Sequence, residues 1–294
     1  MYLTATTEIY VPNEYPIIPI HLFTNKGYLG IVFTASAGSM IYYSMGVLWP
    51  AQISIMYTQD PLQIGLLSCI IGSTVLIGQI FAGFLVKAIG RQKWQLVVMA
   101  CCMTACVGSM AATDQHNKNT AIALVCLAGI FVGYIELTAL TLAPFCLAPA
   151  DIGLATNVLA SIRSAFASTA ISVYVTILNN KAAVYVPQLV GSAATRAGLP
   201  TLSVPSLLAG LATGSFADVE GITPAIIAAA MDANKTAYAK SFHVVYYTSL
   251  VFGGCAIIAA LCSPNMEQHF NDEIPRKLHA GKIGTQSKEK DFED

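Results

Sequence analysis

Residues 62–86 read LQIGLLSCIIGSTVLIGQIFAGFLV and contain no aspartate, glutamate, lysine or arginine. A helix needs about 20 apolar residues to cross the hydrocarbon core of a bilayer. Because backbone amides find no water partners in lipid, a run of this kind has to satisfy its hydrogen bonds internally. The stretch therefore predicts a transmembrane helix.

Five further apolar runs of spanning length surround this one, and their residues lack the alternation of a membrane barrel strand. They cover 28–48, 94–112, 120–143, 152–178 and 242–262. The whole chain is 55% hydrophobic and 11% charged, whereas a soluble domain carries about 25% charged residues. We predict an all-α polytopic membrane protein with a six-helix transmembrane domain over 28–262.

The basic residues predict the orientation of these helices. Lys26 precedes the first run, and Lys87, Arg91 and Lys93 lie between the second and third, whereas 49–61 has no basic residue. Cytosolic loops carry the excess of lysine and arginine. We therefore expect cytosolic termini, a cytosolic linker over 1–27, an extracellular loop of short surface helices over 179–241, and a cytosolic tail over 263–294. The plasma membrane is the expected location.

Several classes of function are disfavoured by what the sequence contains. The net charge is −1 and the basic residues are spread thinly, so we expect no nucleic-acid partner. The histidines and cysteines do not follow zinc-ligand spacing, and neither a P-loop nor an H-E-x-x-H motif occurs. We expect no enzyme activity, no metal and no cofactor, with the lipid bilayer and a small-molecule substrate as partners.

Two ionisable residues, Glu136 and Arg163, lie deep in the fourth and fifth runs. A charged side chain at the bilayer centre costs roughly 2.5–3.5 kcal/mol or more, so both should face the bundle interior or water. Both lie at similar depth on consecutive antiparallel helices, which makes an ion pair between them plausible. Two interpretations stay open: a substrate or proton site, and a structural pair that fixes helix register.

Other polar and aromatic residues in the spans are candidates for a transport path. Tyr42 shares a face of the first run with small residues, which suits a cavity for a bulky apolar ligand. Gln79 is polar at depth in the second run and either lines the path or bonds a neighbouring helix. We place Trp49 in the aromatic belt at the outer membrane interface in preference to the cavity.

Residues 83–93, GFLVKAIGRQK, resemble the G-x-L-x-D-R-x-G-R-K loop signature of the major facilitator superfamily. Four positions match: Gly83, Leu85, Gly90 and Arg91. Lys93 lies one position past the expected basic residue, and Lys87 and Ala88 replace an aspartate and an arginine. The resemblance implies a cytosolic gate in which Arg91 binds carbonyls at a helix end.

Further stretches are similar to the fungal fourteen-helix branch of this superfamily, which holds trichothecene efflux pumps and siderophore transporters. They are 16–28 at the entry to the first run (PIIPIHLF, then Asn25, Gly27 and Tyr28), 42–50 (YYSMGVLWP), and 153–156 (GLAT) with 162–163. The resemblance covers about 16–282 and matches only the C-terminal half of such a transporter, so a missing N-terminal half is a possible partner.

The resemblance implies secondary active, proton-coupled efflux of a small apolar toxin, drug or siderophore-like molecule. Tyr42, Gln79, Glu136 and Arg163 would line the path, with Glu136 as the proton carrier. The alternatives are a non-transporting membrane subunit and a truncated, inactive transporter fragment.

Overall fold

The computed structural model describes residues 20–146, 152–216, 219 and 221–263. Within these ranges the regular structure is helical and contains no β-strand. Most of the predicted linker 1–27, and all but the first residue of the predicted tail 263–294, lie outside the described residues.

Seven α-helices make up most of the described chain. They are α1 (Lys26–Gln52), α2 (Pro61–Ile89), α3 (Gln92–Ser109), α4 (Lys118–Leu142), α5 (Ile152–Arg196), α6 (Val204–Thr213) and α7 (Pro224–Cys262). A π-helical turn, Ile53–Tyr57, continues α1. Six of these helices, all except α6, are long and apolar enough to cross a membrane. The predicted fold class, an all-α chain with six membrane-spanning helices, is confirmed.

Most of the buried apolar residues belong to one large core, to which α1 contributes most. Tyr28, Ile31, Ile41, Trp49 and Ile53 are each at most 2% exposed. α1 packs against α4, α5 and α7, while α2 packs chiefly against α4 and α3 packs against both α4 and α7. Because α1 lies at the centre of the bundle, its exposed residues are confined to one side. This position accounts for its long run of buried residues.

Trp49 lies in this core, so its predicted place in the interface belt is wrong. Its indole nitrogen donates to the backbone carbonyl of Leu67 at 3.0 Å. A buried indole needs such a partner, because its N–H would otherwise be left without a hydrogen bond in an apolar medium. Trp49 therefore joins α1 to α2.

The start of α1 is anchored by two residues of the 16–28 stretch. The side chain of Asn25 accepts hydrogen bonds from the backbone amides of Gly27 and Tyr28, and donates to the carbonyl of Cys146 at 2.6 Å. Tyr28 donates its hydroxyl to the carbonyl of Ala155 at 2.7 Å. A capping residue satisfies amides that have no partner inside the helix, and here it also fixes α1 beside the end of α4.

The prediction of short surface helices over 179–241 is wrong at both ends of the segment. α5 continues 18 residues past Leu178 to Arg196, and α7 begins at Pro224 rather than near Phe242. Among the described residues of the segment, α6 is the one short α-helix that matches the expectation. Hydropathy falls beyond residue 178, but a helix outside the bilayer needs only one apolar face.

The C-terminal part of α5 and the N-terminal part of α7 supply such apolar faces. Together with α6 they form a small separate core. Val190 and Ala194 of α5, Leu207 of α6 and Ile226 and Ala230 of α7 are buried together, each at most 2% exposed. Eighteen residues of α-helix extend about 27 Å. We call these buried residues the outer cap; α5 carries its part of the cap beyond Leu178, the predicted end of the fifth span.

α2 and α4 approach each other through glycines. A Cβ atom at Gly78 would lie 2.0 Å from the carbonyl oxygen of Ile130, and one at Gly133 would lie 2.1 Å from that of Val75. Real Cβ atoms do not come so close to backbone, so the two helices touch main chain to main chain. The Gly129–Gly133 pair is a G-x-x-x-G motif, which permits close helix approach in membranes.

We predict that Gly78→Ala destabilises the protein by about 1–3 kcal/mol, because the added methyl group forces the two backbones apart. Gly72→Ala on the same helix is the matched control, since a Cβ there would meet nothing within 4 Å. Thermal unfolding of both variants in detergent measures the difference. Equal melting temperatures for the two would contradict the close contact.

Candidate functional site

The four residues predicted to line a path come together at one place in the bundle. Nη1 of Arg163 on α5 lies 3.6 Å from Oε1 of Glu136 on α4, which confirms the predicted ion pair. Gln79 on α2 lies within hydrogen-bonding reach of the same carboxylate. Tyr42 on α1 is close enough to both charged groups to interact with them electrostatically. We call these four residues the polar cluster.

The burial of the pair is unequal. The side chain of Glu136 is 6% exposed, whereas that of Arg163 is 24% exposed. Oε1 of Glu136 has no hydrogen-bond partner among the described residues, although it faces the guanidinium. A buried carboxylate without a compensating charge is strongly unfavourable. The guanidinium of Arg163 is therefore the group that stabilises the carboxylate. Arg163 is also the more exposed member of the pair.

Tyr43 extends this site and was not among the predicted residues. Its ring centroid lies 4.9 Å from that of Tyr42, and its side chain is 39% exposed. Gly46 and Val47, three and four positions on, are exposed on the same side of α1. The tyrosine pair thus presents an aromatic surface beside the charged residues, and the YYSMG sequence is the signal that indicated it.

α5 carries a stripe of small hydroxyl residues near Arg163. Ser164, Ser168 and Ser172 are exposed, and each donates its hydroxyl to the carbonyl four residues earlier. Ala167 and Ala170, on the other side of α5, are buried in the bundle, while the serines face away from it. Such a stripe is typical of a surface that another membrane helix can approach closely.

Within residues 83–93, Gly90 and Arg91 form a sharp turn between α2 and α3. Gly90 has φ of 65°, and Arg91 adopts the left-handed conformation with φ of 47° and ψ of 48°. Glycine tolerates this region, and a non-glycine residue in it is uncommon. Leu85 packs beside a small apolar cluster that includes Val86 and Tyr134.

The remaining motif residues lie at the edges of this turn. Gly83 is exposed on α2, Lys93 is half-buried in the first turn of α3, and the side chain of Arg91 is exposed.

Gln95 and Tyr134 hold the end of α2. Nε2 of Gln95 donates to the carbonyls of Gly90 and Val86, and its Oε1 accepts a hydrogen bond from the hydroxyl of Tyr134. All four residues are buried or half-buried. The signal in the sequence was a glutamine inside an otherwise apolar run, five residues after the loop glycine.

We predict that Gln95→Leu destabilises the loop, because it leaves the Tyr134 hydroxyl and two carbonyls without their partner. A buried polar group left unpaired costs about 1–3 kcal/mol. Limited proteolysis between Lys87 and Lys93, together with thermal unfolding, measures the effect. Gln63→Leu, at an exposed position of α2, is the control; if it were equally harmful, the network would not be responsible.

Within the described residues, no group of three or more histidine, cysteine, aspartate or glutamate side chains could hold a metal ion. The chemical resources of the site are therefore one buried ion pair, one amide and a pair of phenols. These groups can exchange hydrogen bonds, carry a proton and stack on a ligand.

Comparison with known proteins identifies the family of the chain. The model of the fungal trichothecene efflux pump family matches residues 1–292. Trichothecene efflux pump TRI12 of Fusarium sporotrichioides is 25% identical over 286 residues, which are 95% of this chain and 48% of the relative. The MFS-type transporter prx5 of Penicillium rubens is 27% identical over 275 residues, covering 92% of this chain and 50% of the relative.

A second TRI12, from Trichoderma arundinaceum, is 23% identical over 287 residues, which are 94% of this chain and 48% of the relative. The chain thus spans about half the length of the curated relatives it matches. With a matching family model over nearly its whole length and six helices long enough to span, the chain belongs to the fungal trichothecene efflux pump family of major facilitator transporters.

Proposed function

We propose that this chain acts as the C-terminal half of a secondary active, proton-coupled exporter of small, largely apolar molecules. The polar cluster carries the proposal, because four helices each contribute a polar side chain to one group around a buried carboxylate. Ionisable residues inside a membrane bundle mark substrate and proton pathways.

Glu136 is the proposed proton carrier of this half. In its charged form the carboxylate attracts the guanidinium of Arg163, 3.6 Å away. Protonation removes that attraction and leaves Arg163 to interact with water or with a polar group of the substrate. The ion pair thus has two arrangements, paired and unpaired. If the proton favours one and the substrate favours the other, binding of the proton is coupled to release of the substrate.

Tyr42 and Tyr43 are the proposed contact surface for the substrate. Two of the relatives are named as trichothecene efflux pumps, and we extend that class of small, apolar ring compound to this chain as a proposal. Aromatic rings beside a few polar groups are the usual composition of a pocket for such ligands. Drugs and siderophore-like molecules are the alternative substrates.

A complementary half is part of this proposal. Alternating access needs two bundles that rock against each other around a site near the bilayer midplane. The exposed serine stripe of α5 and the exposed apolar residues of α2, such as Leu76 and Ile80, fit a surface that contacts that second bundle. The partner would be the N-terminal half that the longer relatives possess.

We place the motif Gly83, Leu85, Gly90, Arg91 and Lys93 on the cytosolic side, together with both termini. Lys26 starts α1, and Lys87, Arg91 and Lys93 surround the turn from α2 to α3. If α1 and α2 cross the membrane in opposite directions, these residues share one side, and basic residues favour the cytosolic side. On this side the turn held by Gln95 would act as the gate between the two bundles. The plasma membrane is the proposed location, since export from the cell requires it.

We predict that Glu136→Gln in the assembled transporter reduces export of a trichothecene from cells about tenfold or more. A tenfold loss of rate corresponds to ~1.4 kcal/mol in the activation free energy of export. The residual export should no longer respond to external pH, because the amide cannot take up a proton. Uptake of substrate into inside-out vesicles at several pH values measures both quantities.

The matched control is Asp232→Asn, an exposed acid outside the polar cluster, which should leave export and its pH response unchanged. Export by Glu136→Gln with an unchanged pH dependence would exclude Glu136 as the proton carrier.

We also predict that export requires a second polypeptide segment of six to eight helices. Sequencing the transcript upstream of the codon for Met1, and co-expressing any in-frame segment found there, tests this. Export should appear only when both parts are present. Export by residues 1–294 alone in proteoliposomes would contradict the need for a complementary half.

A further inference from the structure

An open groove with a volume of about 840 Å³ runs along the bundle between α1 and α7. α1 supplies Lys26, Phe33 and Met40 to its wall, and residues seven positions apart lie on one face of a helix. α7 supplies Phe252 and Cys262. The groove therefore follows the two helices lengthwise.

A pair of aromatic rings adds α5 to the wall of the groove. The ring centroids of Phe33 on α1 and Phe166 on α5 lie 6.1 Å apart in an edge-to-face arrangement. Phe33 is 48% exposed and Phe166 is 38% exposed, and Ile258 of α7, in the same wall, is 64% exposed. These large apolar side chains are accessible to an apolar ligand from outside the bundle.

The length of the groove matches one leaflet of a bilayer. Lys26 to Met40 spans about 21 Å of helix, and Phe252 to Cys262 spans about 15 Å, at 1.5 Å per residue. A bilayer has a hydrocarbon core about 30 Å thick, so one leaflet contributes about 15 Å. The predicted first span begins at Tyr28, just after Lys26, which places Lys26 at the level of the lipid headgroups.

Lys26 is the only charged residue among the described residues that line the groove, and the others are apolar or glycine. It is the first residue of α1 and is exposed. A lysine can lay its hydrocarbon stem along apolar surface while its ammonium group stays in the polar interface. The groove thus combines a cationic end with an apolar length.

We propose that the groove binds an anionic phospholipid of the cytosolic leaflet, with the headgroup phosphate at Lys26 and one acyl chain between α1 and α7. Charge complementarity selects the headgroup, because anionic phospholipids concentrate in the cytosolic leaflet and bind basic pockets between helices there. The apolar length selects the hydrocarbon chain. This assignment rests on the orientation proposed above for the start of α1, and it does not use the chemistry of the polar cluster.

The groove lies apart from the surface that we propose to contact the second bundle. Phe166 is two positions from both Ser164 and Ser168, which places it roughly 160–200° around α5 from these serines at 3.6 residues per turn. The serine stripe and the groove therefore lie on different sides of α5. A complementary half seated on the stripe would leave the groove open to lipid.

Native mass spectrometry of the full chain in detergent tests the headgroup. With phosphatidylserine and phosphatidylcholine of identical acyl chains at equal concentration, the protein should retain phosphatidylserine about fivefold more, the ratio that one lysine contributes at an anionic lipid surface. Lys26→Gln should remove this preference. Lys118→Gln is the matched control, because Lys118 likewise begins a helix, α4, but does not line the groove.

A preference that survives Lys26→Gln, or equal retention of the two lipids by the unmodified protein, would overturn the proposal. Binding in detergent does not depend on the side of the membrane on which α1 begins. A negative result there concerns the groove, and it leaves the proposed orientation and the proposed export to their own tests.

Two cysteines of the wall report whether the acyl chain occupies the groove. Cys255 and Cys262 line it and are exposed, whereas Cys69 on α2 and Cys101 on α3 are exposed elsewhere. Adding phosphatidylserine to phosphatidylcholine nanodiscs should slow the alkylation of Cys255 and Cys262 by N-ethylmaleimide and leave that of Cys69 and Cys101 unchanged. Equal slowing at all four cysteines, or none at Cys255 and Cys262, would overturn the proposal.

Discussion

The backbone contact between α2 and α4 sets the geometry on which the site depends. Gly78 meets the carbonyl of Ile130 and Gly133 meets that of Val75, at separations that leave no room for a side chain. Gln79 follows Gly78, and Glu136 lies one helical turn after Gly133. With larger residues at the two glycines, the helix axes would move apart and Gln79 would lose its approach to the carboxylate.

The hydropathy of the sequence predicts the number and order of the spanning helices, because the bilayer selects runs of about 20 apolar residues. It does not predict where a helix ends outside the bilayer. α5 continues to Arg196 and α7 starts at Pro224, because a water-facing helix needs only the apolar stripe that Val190, Ala194 and Ile226 supply. Helix ends of this kind are determined by tertiary packing.

The candidate site, too, could be predicted from the sequence only in part. The cost of a charge in lipid and the matching depths of Glu136 and Arg163 were sufficient to predict their pairing, which the structure confirms. The roles of Gln95 and Tyr134 could not be predicted, since they depend on how α3 and α4 meet at the loop. Trp49 was misplaced for a related reason: its sequence position suits an interface, but its indole reaches the carbonyl of Leu67.

The length of α5 has a mechanical consequence. From Arg163 to Arg196 the helix is continuous, a distance of ~50 Å at 1.5 Å per residue. Arg163 sits at the ion pair, while the far end lies in the outer cap with its own small core. A tilt of about 5° around the ion pair therefore displaces the far end by about 4 Å. A helix that kept its shape over this length would turn an angular change at a buried pair of charges into a movement of several ångströms at its far end. Pro187, inside the stretch, is the point at which the helix can bend instead.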